Sequence, residues 1–220
     1  LAATDQPQPS SAVLGNEIAA VRAEVLVESA YLVMDDATMK RVHLLRGQGI
    51  TVRALTNSLA SNDVTANHAA YARRRVRMLE SGMELFELRP DAPSCAGLIL
   101  NPAACGAGHQ FGLHSKTFVF DRATVYVGSF NLNLRSRYLN AESGMLIESP
   151  TLAAQVAAAI ETNMAPANSW QLALDARGAP VWHARGEASL ERRLHAEPQA
   201  PWLRRATSGF IALFPLEKYL

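Results

Sequence analysis

Between Val25 and Leu88 apolar, strand-like runs alternate with helical stretches, and a strand that rejoins its sheet through a helix must run parallel to the strand before it. VLVESAYLV, from Val25, reads as a buried strand. Asp35 or Asp36 can cap a following helix that runs through Leu45 and stops at Gly47 and Gly49. ITVRALT is then a β-rich strand ending in the polar turn NSLASND. A helix from about Thr65 to Glu80 ends at Gly82, and MELFEL is the next strand. Ahead of them NEIAAVRAEV places Ile18, Val21 and Val25 on one helical face. The pattern is that of an α/β fold with a largely parallel or mixed sheet flanked by helices.

Downstream, residues 90–112 hold several prolines, glycines and alanines and read as a loop over the surface or the rim of a site. SKTFVFD and TVYVGS, separated by Arg122 and Ala123, form a plausible antiparallel pair, and SGMLIES is a further strand. TLAAQVAAAIETNM is a proline-initiated helix apolar enough to dock on the sheet. WQLALDARGAPVWHA reads as a hairpin turning at ARGAP, and EPQAPWLRRATSGFIALFPLEKYL as a helix with a packed tail. With 220 residues, 49% hydrophobic and 19% charged, one domain with a substantial core is expected. Residues 1–15 are linker-like, 16–168 form the main body, and 169–220 are a hairpin and tail of the same domain.

The formal net charge of +1 excludes the strongly basic balance of proteins that coat nucleic acid, so any anion site must be local. Cys95 and Cys105 are too few for a disulfide scaffold and lack CxxC spacing for zinc; one loop disulfide stays open if the compartment is oxidising. No run approaches the roughly 20 apolar residues of a membrane span. The leucine start and the polar, proline-containing opening suggest a processed product or a fragment cut at a linker.

Chemistry concentrates after residue 112. His114, Lys116 and Asp121 form HxKxxxxD, followed by Gly128-Ser129-Phe130-Asn131 and then Glu142. In a strand, residues two apart share a face, so His114 and Lys116 project together, as do Ser129 and Asn131, while Asp121 points the other way. A histidine, a cation and two neutral donors suit phosphoryl or phosphatidyl transfer, with His114 as nucleophile or general acid and Lys116 neutralising phosphate oxygens. Glu142 is placed to fix the imidazole tautomer. The scheme calls for no metal and no cofactor. An HxK pair by itself is commonplace on exposed strands; the longer constellation is far more specific.

That constellation resembles the phospholipase D superfamily, whose HKD motif matches at His114, Lys116 and Asp121 and whose GSxN matches at Gly128, Ser129 and Asn131. The LTNSLASND segment with His68, Tyr71 and Arg75, GMELFEL, NLRSRYLNAE and the terminal FPLEKYL are similar to the second catalytic half of bacterial cardiolipin synthase-like or phospholipase D-like proteins. The resemblance implies a phospholipase D-like fold with 16–168 as catalytic domain, and a phosphatidyltransferase or phosphodiesterase working through a phosphohistidine. It also implies a phosphatidylglycerol or phosphatidylethanolamine donor and a site built from two HKD motifs. This chain has one: His43, His68, His109, His183 and His195 do not begin HxK. The second motif then comes from an upstream region or from another copy. A peripheral location at the bacterial inner membrane follows, on a side left open. The alternatives are a family nuclease, against which the near-neutral charge weighs, and a silent half that supplies interface and substrate-binding surface.

Other features carry weaker signals. Arg73, Arg74 and Arg77 meet anionic lipid headgroups or nucleic-acid phosphate, or form a solvated helix face, with Arg75 set apart by the family match. Trp170, Trp182 and Trp202 read as packing anchors. Asn57 and Ser58, at a strand's carboxyl end, are either ligand-site residues or caps of a turn.

Overall fold

The computed structural model describes residues 7–105, 110–185 and 191–215. Its centre is three parallel strands, β1 (Glu24–Ser29), β2 (Thr51–Asn57) and β3 (Glu84–Leu88), connected by the crossover helices α2 (Asp36–Gly47) and α3 (Thr65–Glu80). A helix α1 (Pro9–Ala20) precedes them. After the short helix α4 (Cys95–Leu98), β4 (Lys116–Phe120) returns antiparallel to β1. The antiparallel β5 (Thr124–Gly128) and β6 (Gly144–Glu148), with α5 (Leu134–Tyr138) between them, complete that side. Then α6 (Pro150–Met164) crosses back beneath the sheet, β7 (Ser169–Leu174) pairs with β3, and β8 (Pro180–Arg185) and β9 (Glu191–Leu194) extend the other side. Among the described residues the sheet order is β6-β5-β4-β1-β2-β3-β7-β8-β9, and α7 (Trp202–Ile211) lies outside it against α3. The hairpin of 169–185 is therefore continuous with the sheet.

The period of two along each strand sorts the core into two layers. Leu26, Leu55, Val119 and Val125 meet Ala153, Ala157 and Ile160 of α6. Their neighbours Val27, Ala54 and Phe118 face the opposite side, where α1, α2 and α3 bring Leu14, Met39, Val42, Tyr71 and Met78. Each large apolar side chain among them, taken wholly out of water, contributes about 1.5–3 kcal/mol. A charge at Leu26 or Phe118 would therefore break a whole layer.

Local signals place the ends. The Asp35 carboxylate accepts from Thr38 N–H at 2.8 Å and starts α2. Gly49 and Gly82 take the left-handed turns, with φ of 83° and 90°, that return the chain to β2 and β3. Ser149 and Pro150 start α6.

Four sequence expectations change. Helix α1 begins at Pro9 rather than Asn16, because a proline suits the first helical position and Leu14 is buried, so residues 9–15 are not linker. Val25 belongs to β1, not to the face of that helix. The stretch 90–112 contains α4 and a 3-10 turn at Pro102–Cys105, joined by a Cys95–Cys105 disulfide. Trp170 and Trp182 are buried anchors, but Trp202 is 76% exposed. His109 and the end of the FPLEKYL match, from Leu216 on, lie outside the described residues. Among the described residues no helix is long and apolar enough to cross a membrane.

Candidate active site

Parallel strands of an α/β sheet deliver their carboxyl ends to one edge, where ligands bind. Antiparallel β4 starts at that edge: Lys116 pairs with Ser29, the last residue of β1. His114, Lys116, Ser129, Asn131 and Glu142 line one open cleft there, together with Tyr31, Gly128 and Asn140.

His114 sits just before β4, with its ring exposed and edge-on to Tyr31 at 6.4 Å between centroids. The stem of Lys116 is buried, and its ammonium donates to the His114 carbonyl at 2.6 Å, which leaves further N–H donors for an anion. Burial pulls the Lys116 pKa below the usual lysine range, while Asp63 and Glu142 push it back up. Tyr31 donates its hydroxyl to Asp63 at 3.0 Å, and burial with that bond pushes its pKa up to about 12.

Two strand-end loops are laced together to build the floor. Leu132 N–H donates to Ser29 Oγ at 3.1 Å, and Val33 N–H donates to the Leu132 carbonyl at 2.8 Å. Asn131 accepts from Tyr31 N–H through Oδ1 at 3.3 Å, so its amino group is the end that can donate into the cleft. Gly128 must be glycine: a Cβ there would lie 2.4 Å from both the Ser143 carbonyl and the Tyr126 hydroxyl.

Glu142 lies away from the position expected of it. Its carboxylate accepts from Ser129 Oγ in a very short contact and from Asn140 Nδ2 at 3.0 Å, and no hydrogen bond joins it to His114. Pairing of Gly128 with Gly144 brings the start of β6 beside Ser129 rather than behind the imidazole. Asp121 is also elsewhere, and for a different reason than strand parity. It follows the last residue of β4 with φ of 48°, and its carboxylate accepts from the N–H groups of Arg22, Ala23 and Glu24 at 2.8–2.9 Å. Five residues of strand put it ~17 Å from Lys116. It fastens β4 to the start of β1.

Three contributors are not singled out by sequence reasoning. Tyr31 and Asp63 come from the loops after β1 and β2, and nothing local in sequence marks them. Asn140, two residues from Glu142, has a usable signal in its proximity. Asn57 is a turn residue that also positions the site, because its side chain grips Leu113, next to His114. His68 and Arg75 lie in the core, in a buried cluster with Glu87 and Glu197. Arg74 and Arg77 pair with Asp36.

A family model described as the phospholipase D-like domain of cardiolipin synthase matches residues 14–164. The chain belongs to the phospholipase D-like family. It is similar to cardiolipin synthase C of Escherichia coli (strain K12), 36% identical over 192 residues that cover 86% of this chain and 39% of that protein. Cardiolipin synthase A of Pseudomonas aeruginosa is 30% identical over 149 residues, 67% of this chain and 26% of that protein. The phospholipase D-like chain thus spans well under half the length of these curated relatives. Among solved structures, phosphatidylserine synthase of Haemophilus influenzae Rd KW20 superposes with a TM-score of 0.51 at 18% identity, covering 68% of this chain and 34% of that one. NucT from Helicobacter pylori superposes with a TM-score of 0.50 at 13% identity, covering 72% and 91%. At those identities the likeness is one of fold.

Proposed function

We propose that this chain carries one catalytic half of a phosphatidyltransferase or phospholipase D-type phosphodiesterase of the cardiolipin synthase kind. The observation that carries the proposal is the convergence of His114, Lys116, Ser129 and Asn131 on one open cleft at the carboxyl ends of the parallel strands. An imidazole nitrogen of His114 attacks phosphorus, the bond from phosphorus to the leaving alcohol breaks, and a phosphohistidine forms. The ammonium of Lys116, the Asn131 amide and Ser129 take up charge on the phosphoryl oxygens. The acceptor alcohol or water then attacks phosphorus, the bond from phosphorus to the His114 nitrogen breaks, and the acceptor's proton passes to the group that had protonated the leaving alcohol.

The leaving alkoxide needs a proton, and the described cleft holds one imidazole. The acid is therefore a second HKD histidine, from an upstream region of a longer protein or from another copy. Exposed Val127, Met145 and Leu146, beside Gly128 and Ser129 on β5 and β6, are suited to seat that second half. The donor is a phosphatidyl lipid met at a membrane surface, in line with the cardiolipin synthase relatives.

Mass spectrometry of the protein quenched during turnover on phosphatidylglycerol should find a phosphatidyl adduct on His114, absent in His114→Ala. Undiminished turnover in His114→Ala would remove this residue from the chemistry. Cleavage of DNA in EDTA that Lys116→Ala abolishes, with no transfer from lipid, would move the substrate to nucleic acid.

A further inference from the structure

Helix α7 is amphipathic in the wrong direction for a free surface. At 3.6 residues per turn, Trp202, Leu203, Ala206 and Phe210 fall within an arc of about 100°. That arc faces outward: Trp202 is 76%, Leu203 62% and Phe210 63% exposed. The chain beyond continues the patch with Leu213 at 72% and Phe214 at 49%, the latter edge-on to Phe210 at 5.5 Å. The inward face is polar or small apart from the half-buried Ile211 in the last turn. Ser208 is buried, Arg204 donates to the Ala60 and Asn62 carbonyls, and Arg73 of α3 donates to the Ala212 carbonyl at 2.7 Å. A helix docked on a core turns its apolar stripe inward, so this stripe awaits an apolar medium.

We infer that α7 is a membrane-docking helix that lays Trp202, Leu203, Phe210, Leu213 and Phe214 into the interface of a bilayer carrying anionic lipid. The charge agrees: from Pro201 to Pro215 there is no acidic residue, and of the two arginines Arg204 is held by the inward carbonyls while Arg205 is exposed beside the apolar stripe. Aromatic and leucine side chains with an arginine alongside suit the boundary between headgroups and acyl chains. The position agrees as well. Arg204 holds the Ala60–Asn62 turn, the next residue Asp63 receives the Tyr31 hydroxyl, and Tyr31 stands against His114. Docking through α7 would therefore tether the loops that rim the cleft to the membrane. The surface suited to a second catalytic half lies at the β5–β6 side of the sheet, whereas α7 packs on α3, which connects β2 to β3.

The inference rests on the lipid-substrate reading above, and its test separates the two. The 220-residue chain is titrated with vesicles of phosphatidylglycerol and phosphatidylcholine, and with phosphatidylcholine alone. Trp170 and Trp182 are buried, so Trp202 is the reporter. Its emission should shift to the blue on mixed vesicles and be quenched by brominated acyl chains. The triple variant Leu203→Gln, Phe210→Ser, Leu213→Gln changes only exposed side chains; it should bind vesicles at least roughly tenfold more weakly with an unchanged melting temperature. It should still hydrolyse a soluble phosphodiester as the parent does, whereas Lys116→Ala should lose hydrolysis and keep vesicle binding. Unchanged vesicle binding in the triple variant, or no quenching of Trp202, overturns the inference. So does a triple variant that turns a dimeric parent into a monomer without altering vesicle binding, which would make α7 a contact between copies. Intact vesicle binding with no phosphodiester activity in the parent, alone or supplied with a second HKD half, would sink the enzymatic reading alone.

Discussion

Asn57 grips Leu113 by both ends of its carboxamide: Nδ2 donates to the Leu113 carbonyl at 3.0 Å and Oδ1 accepts from Leu113 N–H at 2.8 Å. The grip fixes the backbone one residue before His114, from the end of β2, and Gly112 beside it lies so close to the Ser61 carbonyl that a Cβ would approach within 2.4 Å. Asn57 is thus a positioning residue. Asn57→Ala leaves a buried N–H and C=O unpaired, a loss of about 1–3 kcal/mol in denaturant titration. Turnover should fall about tenfold or more with little change in KM, because the imidazole is misplaced rather than removed. Asn57→Asp, which keeps the acceptor oxygen, should recover part of both; a variant with wild-type kcat would show that the grip is dispensable.

Lys116 should separate stability from turnover. Its pKa is depressed from the ordinary 10.5, chiefly by burial. The folded state therefore holds the proton more weakly than the unfolded one, and the charged ammonium costs stability at neutral pH. That cost is relieved as pH rises through the lowered value toward 10.5. Lys116→Met should abolish turnover while leaving the melting temperature at pH 7 unchanged or higher. A large drop in melting temperature would make Lys116 a structural residue.

Asp121 should behave in the opposite way. Burial pushes its carboxyl up, and the N–H groups of Glu24, Ala23 and Arg22 more than offset this, holding it below the ordinary 3.8. A depressed carboxylate stabilises the fold above its unfolded value and loses that contribution as pH falls through the folded one. Asp121→Asn keeps a side chain tolerant of positive φ but gives up one acceptor and the charge, so it should cost about 1 kcal/mol near pH 7. Turnover at temperatures where the variant stays folded should be close to the parent's. Loss of turnover without loss of stability would place Asp121 in the chemistry despite its remote position.

The fold is legible in the sequence because the information that sets it is local. Periods of two and of 3.6, the Asp35 cap and the glycines after α2 and α3 all act within a few residues of where they are read. The proposed catalytic constellation is visible in the sequence for the same reason, since His114 to Glu142 fall within one β-β-β stretch. Tyr31, Asp63 and the role of Asn57 depend on which strand ends meet at the sheet edge, and a single sequence does not carry that. Chemical analogy assigns Glu142 to His114, whereas the Gly128–Gly144 register decides its partner. For Asp121, strand alternation fails one residue past the strand, where a left-handed turn ends it. Trp202 escapes the expectation that large aromatics are buried, because α7 turns its apolar face outward.

The buried cluster around Arg75 should govern acid stability. Arg75 donates to Glu87 at 3.1 Å and to Glu197 at 2.9 Å, lies over the Trp182 ring at 4.6 Å, and His68 sits 3.3 Å from Glu197. These contacts tie α3, β3 and β8 to the segment that leads into α7. Removing the one guanidinium leaves two carboxylates in the core, so Arg75→Met should cost about 3–5 kcal/mol, enough to unfold a domain of ordinary stability. Glu87→Gln should be milder. Burial raises its pKa, partly countered by Arg75, and a glutamine oxygen still accepts from Trp182 Nε1 as Glu87 does at 2.8 Å. Glu197 is the acid-sensitive member: burial raises its pKa, but His68 and Arg75 win and hold it at about 2, against an ordinary 4.5. Its contribution is complete above the ordinary value and is lost as pH falls toward the folded one. Urea titrations from about pH 6 down to about pH 3 should show the parent losing stability over that interval and Glu197→Gln, weaker at the upper end, losing less. If the two curves ran parallel, Glu197 would not be the group that protonates as the fold fails in acid.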